Sequence, residues 1–178
     1  AMSRGQVLAA EKAGKIKTVF QTTPAEEFPK LYEEKGERMS SIKRGLIDKE
    51  FSKVVFAASP DPERPALSGV LIKEEKEGFL LVATDGYRLS LKKHVIADKG
   101  RRRDGASIIV PSRVIRELVL MGKEVGGDLI AIYVSAEKNQ ILFSEEDTTL
   151  VGRLIEGEFP NYEKIIPKEH QTKTVFSK

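Results

Sequence analysis

The order of apolar patterns along this chain limits its fold more than any other feature. Two helical stripes occur, and each is followed by several short strand-like runs joined by polar turns. The first stripe is Ile47, Phe51, Val54, Val55 and Ala58, at the spacing of one helix face. Ser40 or Ser41 is the expected N-cap, and Ser59-Pro60-Asp61-Pro62 the stop. Strands are predicted from Leu67 to Ile72, Phe79 to Ala83, Arg88 to Lys92 and Ala106 to Val110. Pro111-Ser112 opens a second helix with the stripe Ile115, Leu118 and Val119. Three more strands follow, from Leu129 to Val134, Gln140 to Phe143 and Leu150 to Ile155. Ile130, Ile132 and Val134 alternate with Ala131, Tyr133 and Ser135, the period of a sheet covered on one face. Turns this short favour antiparallel pairing. The expected class is α+β, two helices packed on antiparallel sheets.

Upstream the pattern is weaker. Residues 1–15 are small and polar and are expected to be poorly ordered, and Ala1 before Met2 reads as the residue of a removed tag. Lys17 to Thr22 suits a short strand. Pro24 and Pro29 interrupt the stretch after it, and 32–38 reads as a linker. Glu27-Phe28-Pro29-Lys30-Leu31 recurs as Glu158-Phe159-Pro160-Asn161-Tyr162, a faint repeat at the spacing of a domain.

Composition narrows the chemistry. There is no cysteine, so disulfides and thiolate metal sites are excluded, and a reducing, cytoplasmic setting is the natural expectation. His94 and His170 lie far apart. The carboxylates fall in surface-like runs such as Glu145-Glu146-Asp147. No phosphate loop, dinucleotide fingerprint, zinc-protease motif or nucleophile elbow is present. Neither catalysis nor a metal or cofactor is expected. The net charge of +3 permits a nucleic-acid partner only if the basic residues gather on one face.

Two groups of residues stand out. Ala83-Thr84-Asp85-Gly86-Tyr87-Arg88-Leu89 reads as a hairpin turn. It sends an aromatic, a cation and an apolar side chain to one surface spot, the equipment of a protein-binding pocket. Lys43, Arg44, Arg113 and Arg116 sit at the starts of the two helices, where a shallow positive surface would touch phosphates without reading bases. The run Arg101-Arg102-Arg103 suits a solvated loop.

Four segments also carry a resemblance. They are Arg64-Pro65-Ala66-Leu67-Ser68-Gly69-Val70, Leu81 through Leu89, Ile108-Ile109-Val110-Pro111-Ser112-Arg113, and Arg153 through Tyr162 with Ile165-Ile166-Pro167. In this order they resemble the middle domain of the bacterial DNA polymerase III beta subunit, the sliding clamp. The resemblance implies a DNA-clamp fold. It divides the chain into 1–15, 16–38 (the end of a first domain and a linker), 39–168 (the middle domain) and 169–178 (the start of a third). It implies a ring homodimer around double-stranded DNA, with this fragment monomeric by itself. It also implies a groove for short peptides of the replicative polymerase and clamp-loader subunits. By position, Leu67, Thr84, Gly86, Tyr87, Arg88, Leu89, Pro160, Lys164 and Ile165 belong to that groove. Lys164 stands where many relatives have arginine, and loses the planar fork. Pro65 and Ala66 replace aromatic DNA contacts, which leaves Arg64 as a DNA-facing candidate. From the residues alone, a small non-enzymatic DNA-binding regulator and a metal-dependent nucleic-acid enzyme stay open.

Overall fold

The computed structural model describes residues 7–13, 16–28, 35–75, 78–95, 106–121, 128–167 and 169–175. The basic loop at 101–103 and residues 32–34 of the expected linker lie outside them. Two compact units are found, Ala1–Glu34 and Lys35–Lys178. In the first, β1 (Val7–Ala13) pairs antiparallel with β2 (Ile16–Thr22). Within the stretch expected to be poorly ordered, Val7 to Ala13 have ladder partners from Thr22 back to Ile16.

The second unit holds two four-stranded antiparallel sheets. One has the order β10-β9-β8-β3, from β3 (Glu37–Lys43), β8 (Leu129–Ser135), β9 (Gln140–Glu145) and β10 (Thr148–Arg153). The other has the order β6-β5-β4-β7, from β4 (Gly69–Glu75), β5 (Gly78–Thr84), β6 (Leu89–Val95) and β7 (Ser107–Pro111). The sheets adjoin where β7 meets the end of β10, and Ile155 N–H donates to the Ile109 carbonyl at 2.9 Å.

The first helical segment begins at Arg44, later than its N-cap serines predict. It runs through α1 (Arg44–Leu46), a π turn (Ile47–Phe51) and α2 (Ser52–Val55). Ser40 and Ser41 are instead buried in β3, opposite Ile132 and Ala131. β3 starts at Glu37, inside the stretch 32–38 that the sequence suggests as a linker. Leu67 also departs from expectation. Pro65 starts a 3-10 turn, Pro65–Ser68, and the strand waits until Gly69. At its other end the last strand stops at Arg153, since Leu154 and Ile155 turn to bond Asn139 and Ile109.

One core joins both sheets to both helices. α3 (Ser112–Met121) inserts Ile115 and Leu118, and the first helical segment inserts Ile47, Phe51, Val54 and Val55. Val70, Ile72, Phe79, Leu81 and Ala83 meet them from one sheet, and Ile130, Ile132, Ile141 and Phe143 from the other. The alternate residues of the β6-β5-β4-β7 sheet face away from the helices. There Leu71, Leu80, Val82 and Ile109 form a second cluster, roofed by Ile155, Phe159 and Tyr162. All of β5 is buried as a result, as its unbroken run Phe79 to Ala83 suggests.

Gly152 lets α3 lie close on β10: a β-carbon there would come within 2.9 Å of both Val114 methyls. Gly152→Ala should lower stability by about 1–3 kcal/mol. The added substitution Val114→Ala should recover part of that loss in urea unfolding. A neutral single variant would contradict this packing.

Candidate functional site

The first candidate site is the turn after β5. Thr84 Oγ donates to the Arg88 carbonyl at 2.8 Å and accepts from Gly86 N–H at 3.1 Å. One Asp85 carboxylate oxygen accepts from the Tyr87 and Arg88 amides, both at 2.9 Å, and the other accepts from Arg88 Nε at 3.0 Å. Those amide bonds, then the Arg88 charge, hold the Asp85 carboxyl below its ordinary range. Gly86 takes φ +94°, a conformation that side chains rarely adopt. The turn is fixed by its own hydrogen bonds, so it can hold Tyr87 out in solvent, 94% exposed.

Thr84 and Leu89 pair directly across β5 and β6. By strand alternation they share the outward face with Leu80 and Val82. Leu89 joins the outer cluster, and so does Tyr162 on the short helix α4 (Tyr162–Ile165). Asn161 caps α4 by accepting from Lys164 N–H at 3.3 Å. Through Tyr162, the segment carrying Pro160, Lys164 and Ile165 thus shares a cluster with Leu89. Ile165 itself is 59% exposed. Burial, reinforced by Glu163, pushes the Tyr162 hydroxyl pKa up. Leu67 is half-buried, and from its turn it is Ala66 that packs into the cluster. Beside the roof lies a pocket of about 600 Å³, lined in part by Leu71, Ile109, Phe159, Pro160 and Tyr162. Of the groove candidates only Pro160 lines it.

The basic set divides. Arg113 and Arg116 are exposed one turn apart on α3, and Lys43 is exposed at the end of β3. Arg44 is not available to phosphates. It is 6% exposed, and its Nη1 lies 3.1 Å from an oxygen of the buried Glu145 carboxylate. The helix begins at Arg44 and turns its first side chain inward, over the end of β9. Arg64 stands next to Gly86, its Nη1 3.7 Å from where a β-carbon of that glycine would be. It also faces Asp61 at 3.8 Å. Its neighbours are therefore the turn residues. Lys49, in the π turn, is an exposed cation that the sequence pattern did not single out. Only its place on the outer side of the apolar stripe marks it.

The inward-facing charges lead to two expectations. Burial pushes the Glu145 carboxyl up, and Arg44 offsets this in part. Removing one partner strands a buried charge, so Arg44→Ala or Glu145→Ala should cost about 3–5 kcal/mol. The double replacement Arg44→Met with Glu145→Leu should stay near wild type in urea unfolding. Equal losses for single and double variants would refute the pairing. Glu50 behaves oppositely. Burial opposes its ionisation, but hydrogen bonds and charge from Lys92 and Lys53 prevail, and its pKa is lowered. Its stabilisation, like that of Asp85, is present above the ordinary carboxylate range and fades as pH falls through the lowered folded value. Glu50→Gln should flatten the acid side of a stability–pH curve, and an unchanged curve would exclude the coupling.

Among the described residues, no helix is long and apolar enough to cross a membrane, and no three His, Asp or Glu side chains gather as metal ligands.

Comparison with known proteins gives one answer. Residues 41–161 match the family described as DNA polymerase III beta subunit, central domain. The beta sliding clamp of Streptococcus pneumoniae is 29% identical over 167 residues, covering 93% of this chain and 42% of its own length. The solved sliding clamp of Bacillus subtilis superposes with a TM-score of 0.73 at 26% identity, over 91% of this chain and 41% of that one. A sliding clamp of Pseudomonas aeruginosa bound to griselimycin gives 0.73 at 26%, over 96% and 44%. The chain therefore spans less than half the length of the curated relatives it matches, and over that span it belongs to the DNA polymerase III beta subunit family, with the central domain at its centre.

Proposed function

We propose that this chain is the middle part of a sliding clamp, a non-enzymatic processivity factor that encircles duplex DNA and docks polymerase and clamp-loader peptides. One observation carries the reading: the β6-β5-β4-β7 sheet is used on both faces. Its inner face packs against the two helices, one of which exposes Arg113 and Arg116. Its outer face bears an apolar cluster that ends in Leu89, beside the self-bonded turn that holds Arg88. In the intact subunit the helices line the hole, the sheets form the rim, and a head-to-tail dimer closes the ring. Retention is then topological, and sliding needs only loose, exchangeable phosphate contacts.

On this reading Lys43, Arg113 and Arg116 face DNA, with Lys49 as an added candidate. Arg44 is released from that role by its burial, and Arg64 by its place at the turn. Thr84, Gly86, Tyr87, Arg88, Leu89, Pro160, Lys164 and Ile165, with Leu67 at the margin, supply one side of the peptide groove. An apolar floor with a few polar fixing points suits a short extended peptide. The fragment is monomeric in solution, in a cytoplasmic protein.

Fluorescence anisotropy with labelled duplexes of unrelated sequence tests the DNA face. Binding should be weak, indifferent to sequence and steeply salt-dependent. Arg113→Glu with Arg116→Glu should reduce it and flatten the slope of log K against log salt by about 0.9 per lost phosphate contact. Strong preference for one sequence, or no effect of the double variant, would refute the assignment.

A further inference from the structure

Phe56 lies at the C-terminal end of α2 and is 53% exposed. It is too far out to serve the core, and sequence pattern gives it no role. Its ring lies 5.6 Å from the Arg88 guanidinium carbon. Arg88 is thus engaged from two sides, by this ring and by the Asp85 carboxylate at 3.0 Å. Nε is committed to Asp85, which leaves the terminal nitrogens of a largely exposed side chain for another acceptor.

This contact is one rung of three. Ser90 Oγ donates to the Lys53 carbonyl at 2.7 Å, and Lys92 Nζ lies 3.1 Å from the Glu50 carboxylate. Positions 88, 90 and 92 are alternate residues and share one side of the extended chain. Positions 56, 53 and 50 step by three and share one side of the helical segment. The two rows run antiparallel, and the rungs differ in kind: cation–aromatic, hydroxyl to carbonyl, and ion pair. The Lys53 carbonyl belongs to the last helical turn and has no partner further along the helix, which Ser90 supplies.

We infer that Phe56 is a positioning residue for the peptide groove: it holds the Arg88 guanidinium in the orientation a bound peptide meets, and so ties the groove to the DNA-side helix. The inference rests on the groove assignment made above. A guanidinium already stacked and paired loses little rotamer freedom when an acceptor arrives, while an unstacked one must be immobilised on binding.

The test uses the whole 178-residue chain with two readouts. The first is titration calorimetry with griselimycin, the compound held by the Pseudomonas aeruginosa relative. Phe56→Leu should weaken binding roughly three- to tenfold. Phe56→Tyr should restore it, and Phe56→Leu should add little to Arg88→Ala. The second is the NMR signal of Arg88 Nε–H, which needs no ligand. In the wild type and in Phe56→Tyr it should be ring-shifted upfield, and Phe56→Leu should abolish the shift while the melting temperature changes little. If Arg88→Ala weakens griselimycin binding but Phe56→Leu does not, the inference is overturned and the groove stands. If griselimycin binds and Arg88→Ala does not weaken it, the groove assignment fails; if the wild-type chain does not bind griselimycin, one side of the groove does not suffice to hold it. The NMR arm then decides the positioning role alone, and an Arg88 signal indifferent to Phe56→Leu would end it.

Discussion

Covering strand β5 on both sides is the constraint that organises this molecule. A strand whose residues all avoid water needs a layer above and a layer below. The layer below is the helix pair. The layer above is not a second sheet but a single passing segment, roofed by Ile155, Phe159 and Tyr162. Such a roof is narrow. It buries the middle of the outer face and leaves Leu89, at the margin, only partly covered, while Ile165 on the covering segment is itself exposed. An exposed apolar margin beside a hydrogen-bonded turn comes from covering a wide sheet with one thin segment.

Electrostatics divide along the same layers. Charges that point inward are matched: Arg44 by Glu145, and Glu50 by Lys53 and Lys92. The Arg44–Glu145 and Glu50–Lys92 contacts join elements distant in sequence, so they fix geometry more than they attract anything from outside. Arg113 and Arg116 point outward from α3 and are free to exchange partners. The same residue type does opposite work at Arg44 and Arg113. The difference arises because Arg44 opens its helix over a sheet carrying a buried carboxylate, while Arg113 comes after a buried Ser112 on the solvent side.

Much of this was legible in the sequence. Strands β4 to β10 announce themselves by alternation or by apolar runs between turns, and α3 by its stripe. The turn at 84–89 was readable from Asp85-Gly86, because its hydrogen bonds are local. The illegible parts depend on distant partners. Ser40 and Ser41 look like a helix cap until β8 is known to lie beside them. Arg44 looks like a surface cation until Glu145 is found against it. Nothing in the sequence around Phe56 hints at Arg88. The family resemblance gave the proposed groove residues by position, but not the contacts that hold them. Nor does the sequence place Arg64 beside Gly86.

The inward turn of Arg44 has a mechanical consequence. For a ring that travels on a charged rod, each cation reaching the phosphates deepens the wells it must hop between. In the clamp proposed above, folding one of the four helix-start cations into the core would smooth that track. The same salt link that steadies the domain would then also lower its drag.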